Sequence, residues 1–350
     1  MVRLAGMEEK QEYGILRETA ASYAAKELAP LAEEADLEPG SPRVREAFLR
    51  AGDLGLFAAL LPEDAGGGGL DEYAFCVALE EIAVECAGLA ASLLAHNAAL
   101  YPTALGELQG LITGIGGASF PACLAFPGEV SMAGDRVNGS VPFALNAAAE
   151  GAIVVLVRGE GHDTALALGR EAEGLRVTPE AYPLGLRPAR PGALRLEGVS
   201  PANAVTGAGM VEAVERLLHV GLASIGVGIA RKALDKAHAY ACERYQAGKT
   251  IIQHQGIRLL LAGMVAVVEE GRTLVRRACE SREMIPAMTA WLRATQGAFQ
   301  AATDGVQVHG GYGYMRDYGM ERLMRDAKYC QVYPRTPQEV LLRMLALSEG

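Results

Sequence analysis

The chain has 350 residues, half of them hydrophobic, and a formal net charge of −10 at pH 7. A chain of this length has room for two or three domains with buried cores. The negative charge disfavours nucleic acid or an anionic membrane as the main partner, although a local cluster of Arg and Lys can still bind a phosphate.

Cysteine usage and apolar runs indicate where the protein works. Six cysteines are scattered without a C-x-x-C pair, which is typical of a reducing compartment. Residues 1–30 carry several glutamates and lack the apolar core of a signal peptide. No apolar run reaches about 18 residues, so we expect no membrane span. We therefore predict a cytoplasmic protein.

The first third of the chain, residues 1–117, is predicted to be an α-helical domain because apolar residues recur there at helical spacing. Ser41 and Pro42 predict a helix start. Four successive glycines, 66–69, predict a loop; a phosphate cradle is disfavoured because no Lys-Ser/Thr pair follows them. His96 lies in an apolar stretch, where a core position is favoured over a role in a ligand pocket.

Residues 118–209 have a different pattern and predict a small β domain. Apolar residues alternate from Val137 to Leu145, and Asn138-Gly139 is a dipeptide typical of hairpin turns. Four further strands are predicted at 153–157, 164–168, 175–178 and 193–196.

Residues 210–350 are predicted to form a four-helix bundle. The helices are expected at about 210–240, 257–283, 287–306 and after Thr336. The first of them is unusually apolar and rich in small residues. We therefore predict an oligomer, most simply a dimer of dimers.

Three short segments near the C-terminus carry the most specific signal. They are Gln307-Val-His-Gly-Gly-Tyr-Gly-Tyr314, Arg325-Asp-Ala327 and Tyr333-Pro-Arg-Thr336. Glycines beyond a helix can simply mark its end. Together, however, the segments resemble the C-terminal signature of the acyl-CoA dehydrogenase family. Further resemblances, such as residues 184–203 and 240–249, extend over nearly the whole chain and imply that family's α+β fold.

The resemblance implies α,β-dehydrogenation of an acyl-CoA thioester with FAD, and an electron-transfer flavoprotein or a similar protein as acceptor. The family's usual base is the Glu of a Tyr-Glu-Gly-Thr turn, where this chain has Pro334. Proline offers neither a carboxylate nor a backbone N–H. Other family members carry the base on the preceding long helix, so Asp235 and Glu243 are candidates, as is Glu339 beyond the turn. For Asp235 and Glu243 a solvated helix position is the favoured interpretation.

By the resemblance, some of the family's FAD contacts are retained in this chain and others are altered. The positions that would bind FAD across a dimer interface are retained, namely Arg244, Gln307, Gly310 and Gly311, and Thr336 is a further candidate FAD contact. The loop that covers the flavin in the family is shortened between 122 and 139. The family's Trp-Ile-Thr beside the flavin ring is replaced by Phe143-Ala144-Leu145.

These differences favour a heteromeric flavoenzyme in which a related chain supplies the base and the ring contacts. FAD would then lie at a subunit interface or be absent from the isolated chain. Two alternatives stay open: a self-sufficient homomeric flavoenzyme with a different base, and a non-enzymatic scaffold of the same fold.

Overall fold

The computed structural model describes residues 11–105, 121–126 and 128–349. The described residues of the N-terminal part form four α-helices: α1 (Gln11–Tyr23), α2 (Ala32–Leu37), α3 (Pro42–Asp53) and α4 (Glu72–Leu105). The predicted start of α3 is confirmed, since the Ser41 hydroxyl accepts a hydrogen bond from the Val44 N–H at 3.3 Å.

The glycine-rich segment at 66–69 is a loop that packs against the preceding chain. A Cβ on Gly67 would lie 2.2 Å from the Leu61 carbonyl oxygen, so only glycine fits this approach. His96 is fully buried, and its Nδ1 accepts a hydrogen bond from the Ala122 N–H at 2.9 Å. Both features are structural.

The β domain consists of two four-stranded sheets around an apolar core of their own. One sheet has the order β1-β4-β5-β8 and the other the order β2-β3-β7-β6. Only β1 and β4 pair in parallel among the described strands of these sheets. The strands are β1 (Cys123–Ala125), β2 (Glu129–Ala133), β3 (Arg136–Ala144), β4 (Ile153–Val157), β5 (Asp163–Leu168), β6 (Leu175–Pro179), β7 (Gly192–Val199) and β8 (Asn203–Gly207).

The predicted hairpin turn at Asn138-Gly139 is wrong. Both residues lie inside β3, and the turn between β2 and β3 is at Gly134-Asp135, flanked by the pair Ala133 and Arg136. Gly139 marks a register irregularity against β7 instead, where it has φ +143° and a Cβ would clash with the Glu129 carbonyl oxygen. A glycine inside a strand often has this role.

The C-terminal part contains five helices in the described chain, one more than predicted. They are α5 (Met210–Glu243), α6 (Gln255–Ser281), α7 (Met284–His309), α8 (Met320–Cys330) and α9 (Pro337–Ser348). A short ribbon of β9 (Tyr245–Gln246) and β10 (Lys249–Thr250) follows α5. The additional helix is α8, whose 11 residues follow a left-handed Gly319.

Helix α5 is the centre of the molecule and packs against α4, α6 and α7. By length and composition it could cross a membrane, but its most apolar 18-residue window is 94% buried inside the protein, so it is a core helix. Its apolar face is therefore used within the chain and is not evidence for an oligomer. The first predicted domain boundary, 117/118, lies outside the described residues.

Candidate functional site

A cleft of about 780 Å³ lies where the β domain meets the start of α5 and the chain around α9. Ser140, Leu156 and Arg158 contribute to its β-domain side. Val211 lies opposite, at the first turn of α5, beside Arg335.

The turn that contains Pro334 is fixed at this cleft from two sides. The Tyr333 hydroxyl donates to the Phe126 carbonyl at 3.1 Å, and the indole N–H of Trp291 donates to the Tyr333 carbonyl at 3.1 Å. The Tyr333–Pro334 bond is cis, and Pro334 is buried. The position that the resemblance assigns to the base is thus filled by an apolar ring.

Glu215, which the sequence reasoning missed, is the fully buried carboxylate beside the cleft. Arg335 Nε donates to its Oε1 at 2.6 Å, and Arg343 forms an ion pair with its Oε2. Burial alone would raise the pKa of Glu215, but hydrogen bonds and charge from the two arginines outweigh burial and lower that pKa. Glu215 is therefore ionised, with Oε1 accepting a hydrogen bond and Oε2 held by an ion pair without hydrogen-bond geometry.

One turn further along α5 lies His219, whose side chain is also fully buried. Neither ring nitrogen has a hydrogen-bond partner among the described residues. The ring lies edge-on to Trp291 with centroids 5.5 Å apart. Burial lowers the pKa of His219 to about 4, so the imidazole is neutral near pH 7. The sequence signal that could have revealed this pair is a Glu and a His at positions i and i+4 of an otherwise apolar helix.

The structure separates the three candidate bases. Asp235 and Glu243 follow Val211 by 24 and 32 residues on one helix, which places them about 36 and 48 Å from the cleft at roughly 1.5 Å per residue. Neither contributes to the cleft of its own chain. Glu339 does line the cleft.

The Glu339 carboxylate is already used in a helix cap. It accepts from both the N–H and the hydroxyl of Thr336, each at 2.7 Å, and the Thr336 hydroxyl accepts from the Glu339 N–H. The hydrogen bonds from Thr336 lower the pKa of Glu339. Thr336, a candidate FAD contact, is thus the N-cap of α9.

At the other end of α5 the remaining FAD candidates come together. Arg244 ends the helix, and its guanidinium lies 5.7 Å from the centre of the Tyr312 ring. Gln307 is exposed on the last turn of α7, and Gly310 and Gly311 follow in an open turn. A guanidinium, an amide and exposed glycine backbone suit a diphosphate and a purine, so this end fits the nucleotide half of FAD.

The cleft fits the flavin ring less well. Ala144 and Leu145, which by the resemblance replace the Ile and Thr of the family's Trp-Ile-Thr, are fully buried apolar residues. Phe126 lines the cleft, and the Arg335 guanidinium lies 5.8 Å from its ring centre. At these positions the described residues offer no side-chain donor to a flavin. No group of His, Cys, Asp and Glu in the described parts of the chain could hold a metal ion.

Comparison with known proteins gives consistent matches over nearly the whole chain. Residues 10–106 match the model "Acyl-CoA dehydrogenase, N-terminal domain", and residues 207–347 match "Acyl-CoA dehydrogenase, C-terminal domain". The probable acyl-CoA dehydrogenase YngJ of Bacillus subtilis is 31% identical over 92% of this chain and 94% of its own length. The cyclohex-1-ene-1-carbonyl-CoA dehydrogenase of Syntrophus aciditrophicus is also 31% identical, over 94% and 87%.

Solved structures show the same fold. Butyryl-CoA dehydrogenase from Megasphaera elsdenii is 24% identical with a TM-score of 0.85, covering 99% of this chain and all of that one. A chain in the structure of the electron transferring flavoprotein of Acidaminococcus fermentans is 26% identical with a TM-score of 0.86, covering 97% and 98%.

Proposed function

Because the chain belongs to the acyl-CoA dehydrogenase family of oxidoreductases acting on CH–CH bonds, we propose that it is one subunit of a heteromeric, FAD-dependent acyl-CoA dehydrogenase. In this assembly a related chain supplies the catalytic base and the contacts to the flavin ring. This chain completes the nucleotide half of the partner's FAD site and does not itself dehydrogenate.

The observation that carries the proposal is the set of carboxylates at the cleft. Pro334 is buried where the resemblance places the base. Of the described carboxylates there, Glu215 is held by two arginines, Glu339 caps a helix, and Glu129 is exposed on β2. A general base needs a raised pKa and access to the α-proton. The pKa values of Glu215 and Glu339 are lowered, and Glu129 is exposed to solvent instead of lying in a dry pocket.

The residues at the other end of α5 support a role in binding the partner subunit's FAD. When bound, FAD would supply the hydride acceptor. The Arg244 guanidinium would bind phosphate oxygens, the Gln307 amide would donate to the nucleotide, and the turn at Gly310 and Gly311 would admit it closely. These groups are exposed to solvent or half-exposed, as groups that serve a neighbouring subunit must be.

The substrate, electron acceptor and assembly are proposed from the same family membership, and the location from cysteine usage. The substrate would be an acyl-CoA, the acceptor an electron-transfer flavoprotein or a similar protein, the assembly a tetramer, and the location cytoplasmic. The three-part division at 1–117, 118–209 and 210–350 would give the α, β and α domains of each subunit.

The test is turnover of butyryl-CoA with an artificial electron acceptor and added FAD. We expect no turnover by the isolated chain and turnover after co-expression with a related family member. Robust turnover by the isolated chain would overturn the proposal.

A second candidate function, a self-sufficient dehydrogenase, is favoured by the position of Glu215. It is a buried carboxylate directly behind the cleft-lining Arg335 and Arg343, close to where a base could act. If the isolated chain turns over and the Glu215→Gln variant does not, this second function is correct.

A further inference from the structure

Two arginines, Arg335 and Arg343, are paired with the single carboxylate of Glu215. The Glu215 side chain is 0% exposed, whereas those of Arg335 and Arg343 are 29% and 25% exposed. Both arginines line the cleft. The guanidiniums therefore lie between the carboxylate and any ligand in the cleft.

We propose that Arg335 and Arg343 are positioning residues that lock Glu215 away from substrate, and that removing Arg335 converts Glu215 into a working general base. This inference rests on the proposed function, because it explains why a chain with a buried carboxylate at its cleft does not dehydrogenate.

Arg335 is the more important of the two arginines. It follows Pro334 directly, so the fixed turn sets its backbone position. Its guanidinium bridges Glu215 and the face of Phe126. Arg343 approaches the other carboxylate oxygen from α9. Loss of Arg335 would open Oε1 on the side of the cleft, while Arg343 would keep Glu215 from being a buried charge without a partner.

Among the described residues, the charges that face Glu215 are those of Arg335 from the turn and Arg343 from α9, and His219 is the neighbouring titratable group on its own helix. His219 is neutral near pH 7 and cannot replace a lost arginine charge. Glu339 faces Arg335 but is occupied by Thr336.

The chemical step is a proton transfer without a change in redox state. The C–H bond next to the thioester carbonyl breaks, and its proton moves to Oε1 of Glu215. The electron pair remains on the substrate as an enolate, and return of a solvent deuteron completes hydrogen exchange. The step requires no oxidant, so it can be measured without flavin.

The first test measures the lock directly, by ¹³C NMR titration of the Glu215 carboxyl group, assigned by its disappearance in Glu215→Gln. We expect the Glu215 carboxyl group to titrate at a higher pH in the Arg335→Gln variant than in the wild type. The control Arg195→Gln removes an exposed arginine that also lies 2.6 Å from a glutamate, Glu197, and should leave the titration of Glu215 unchanged. An unchanged titration in Arg335→Gln would overturn the lock.

The second test measures deuterium uptake in D₂O at the α-carbon of phenylacetyl-CoA. The α-protons of this thioester are more acidic than those of a simple acyl thioester. A positioned base contributes roughly 10²–10⁴-fold, so we expect Arg335→Gln to exceed the wild type by roughly 100-fold. The double variant Arg335→Gln/Glu215→Gln should return to the wild-type rate. Arg335→Lys, which keeps the charge, should gain less.

The outcomes separate the two proposals. No gain in exchange in Arg335→Gln, or a gain that survives the loss of Glu215, would overturn the inference and leave the heteromer proposal standing. Dehydrogenation by the isolated wild-type chain would overturn both, and the titration would show whether the arginines still hold Glu215.

Discussion

The two ends of helix α5 have opposite characters. At its start, the buried and capping carboxylates have partners within the chain: Glu215 binds Arg335 and Arg343, and Glu339 binds Thr336. At its end, Arg244 and Gln307 have polar groups directed to the surface beside an open glycine turn. The carboxylates at the first end are engaged within the chain, and the second end can still bind a ligand.

This difference explains how one fold can retain half of a shared cofactor site. In a site built across an interface, each subunit contributes two separate sets of residues. Ion pairs can fill one set without disturbing the other, because about 34 residues of a rigid helix separate them. The contrast predicts distinct effects of substitution at the two ends.

The largest expected effect is on stability at the start of α5. Glu215→Ala leaves two arginines without their shared carboxylate and should lower the free energy of unfolding by about 3 kcal/mol. That value is at the low end for a broken buried pair, because both arginines can reach solvent. Urea unfolding would measure it. Glu197→Ala, in an exposed pair, should cost less than about 1 kcal/mol. Equal costs for both variants would contradict the contrast.

The pH dependence of stability should reflect the same buried end. Burial lowers the pKa of His219 to about 4, so between roughly pH 6.5 and 4 the unfolded chain binds a proton that the folded chain does not. The free energy of unfolding should therefore fall as the pH falls through this window, by on the order of 2–3 kcal/mol from this group.

The variant His219→Phe should reduce that acid-dependent loss, as followed by thermal or urea unfolding at several pH values. His162 is exposed on the β domain, so His162→Phe is the matched control and should leave the slope unchanged. An unchanged slope in His219→Phe would show that the imidazole is protonated or solvated in the folded chain.

At the other end of α5, Arg244→Ala should affect the ligand and not the fold. Loss of a charged hydrogen bond of about 2 kcal/mol corresponds to roughly 30-fold weaker FAD binding by the assembled protein. Fluorescence titration with FAD would measure the change, with Arg195→Ala as a control of equal charge. If FAD binding is unaltered, the arginine does not contact the cofactor.

A smaller effect is expected for Gln307→Ala, because a neutral hydrogen bond contributes about 1 kcal/mol, or roughly fivefold in affinity. Gln300 lies two turns earlier on the same helix and is bonded to Asp304 at 2.9 Å, which makes Gln300→Ala a close control. Equal loss of FAD in the two variants would remove Gln307 from the site.

The sequence predicted the fold well where local patterns determine it. The cap at Ser41, the five strands β3 to β7 and the long helices follow from periodicity and turn chemistry, whereas β1, β2 and β8 were not predicted. It failed at Asn138-Gly139, because Gly134-Asp135 is an equally good turn and only pairing of β3 with β7 decides between them. It missed α8 because a glycine-rich segment separates it from α7.

The sequence could not identify the cluster at the cleft. Glu215 and Arg335 are 120 residues apart, and their contact depends on how α5 packs beside the C-terminal turn. Asp235 and Glu243 were considered because they precede a recognisable motif, whereas distance along a helix places them far from the cleft. Thr336 matched a family position, but its hydroxyl caps a helix.

The most direct test of the account is the amount of FAD bound per chain, read from the flavin absorbance of purified protein. We expect the isolated chain to be colourless, and the assembly with a related subunit to hold one FAD for every two chains. A yellow isolated chain with one FAD per subunit would show that the cleft holds a flavin ring after all, and would contradict the account.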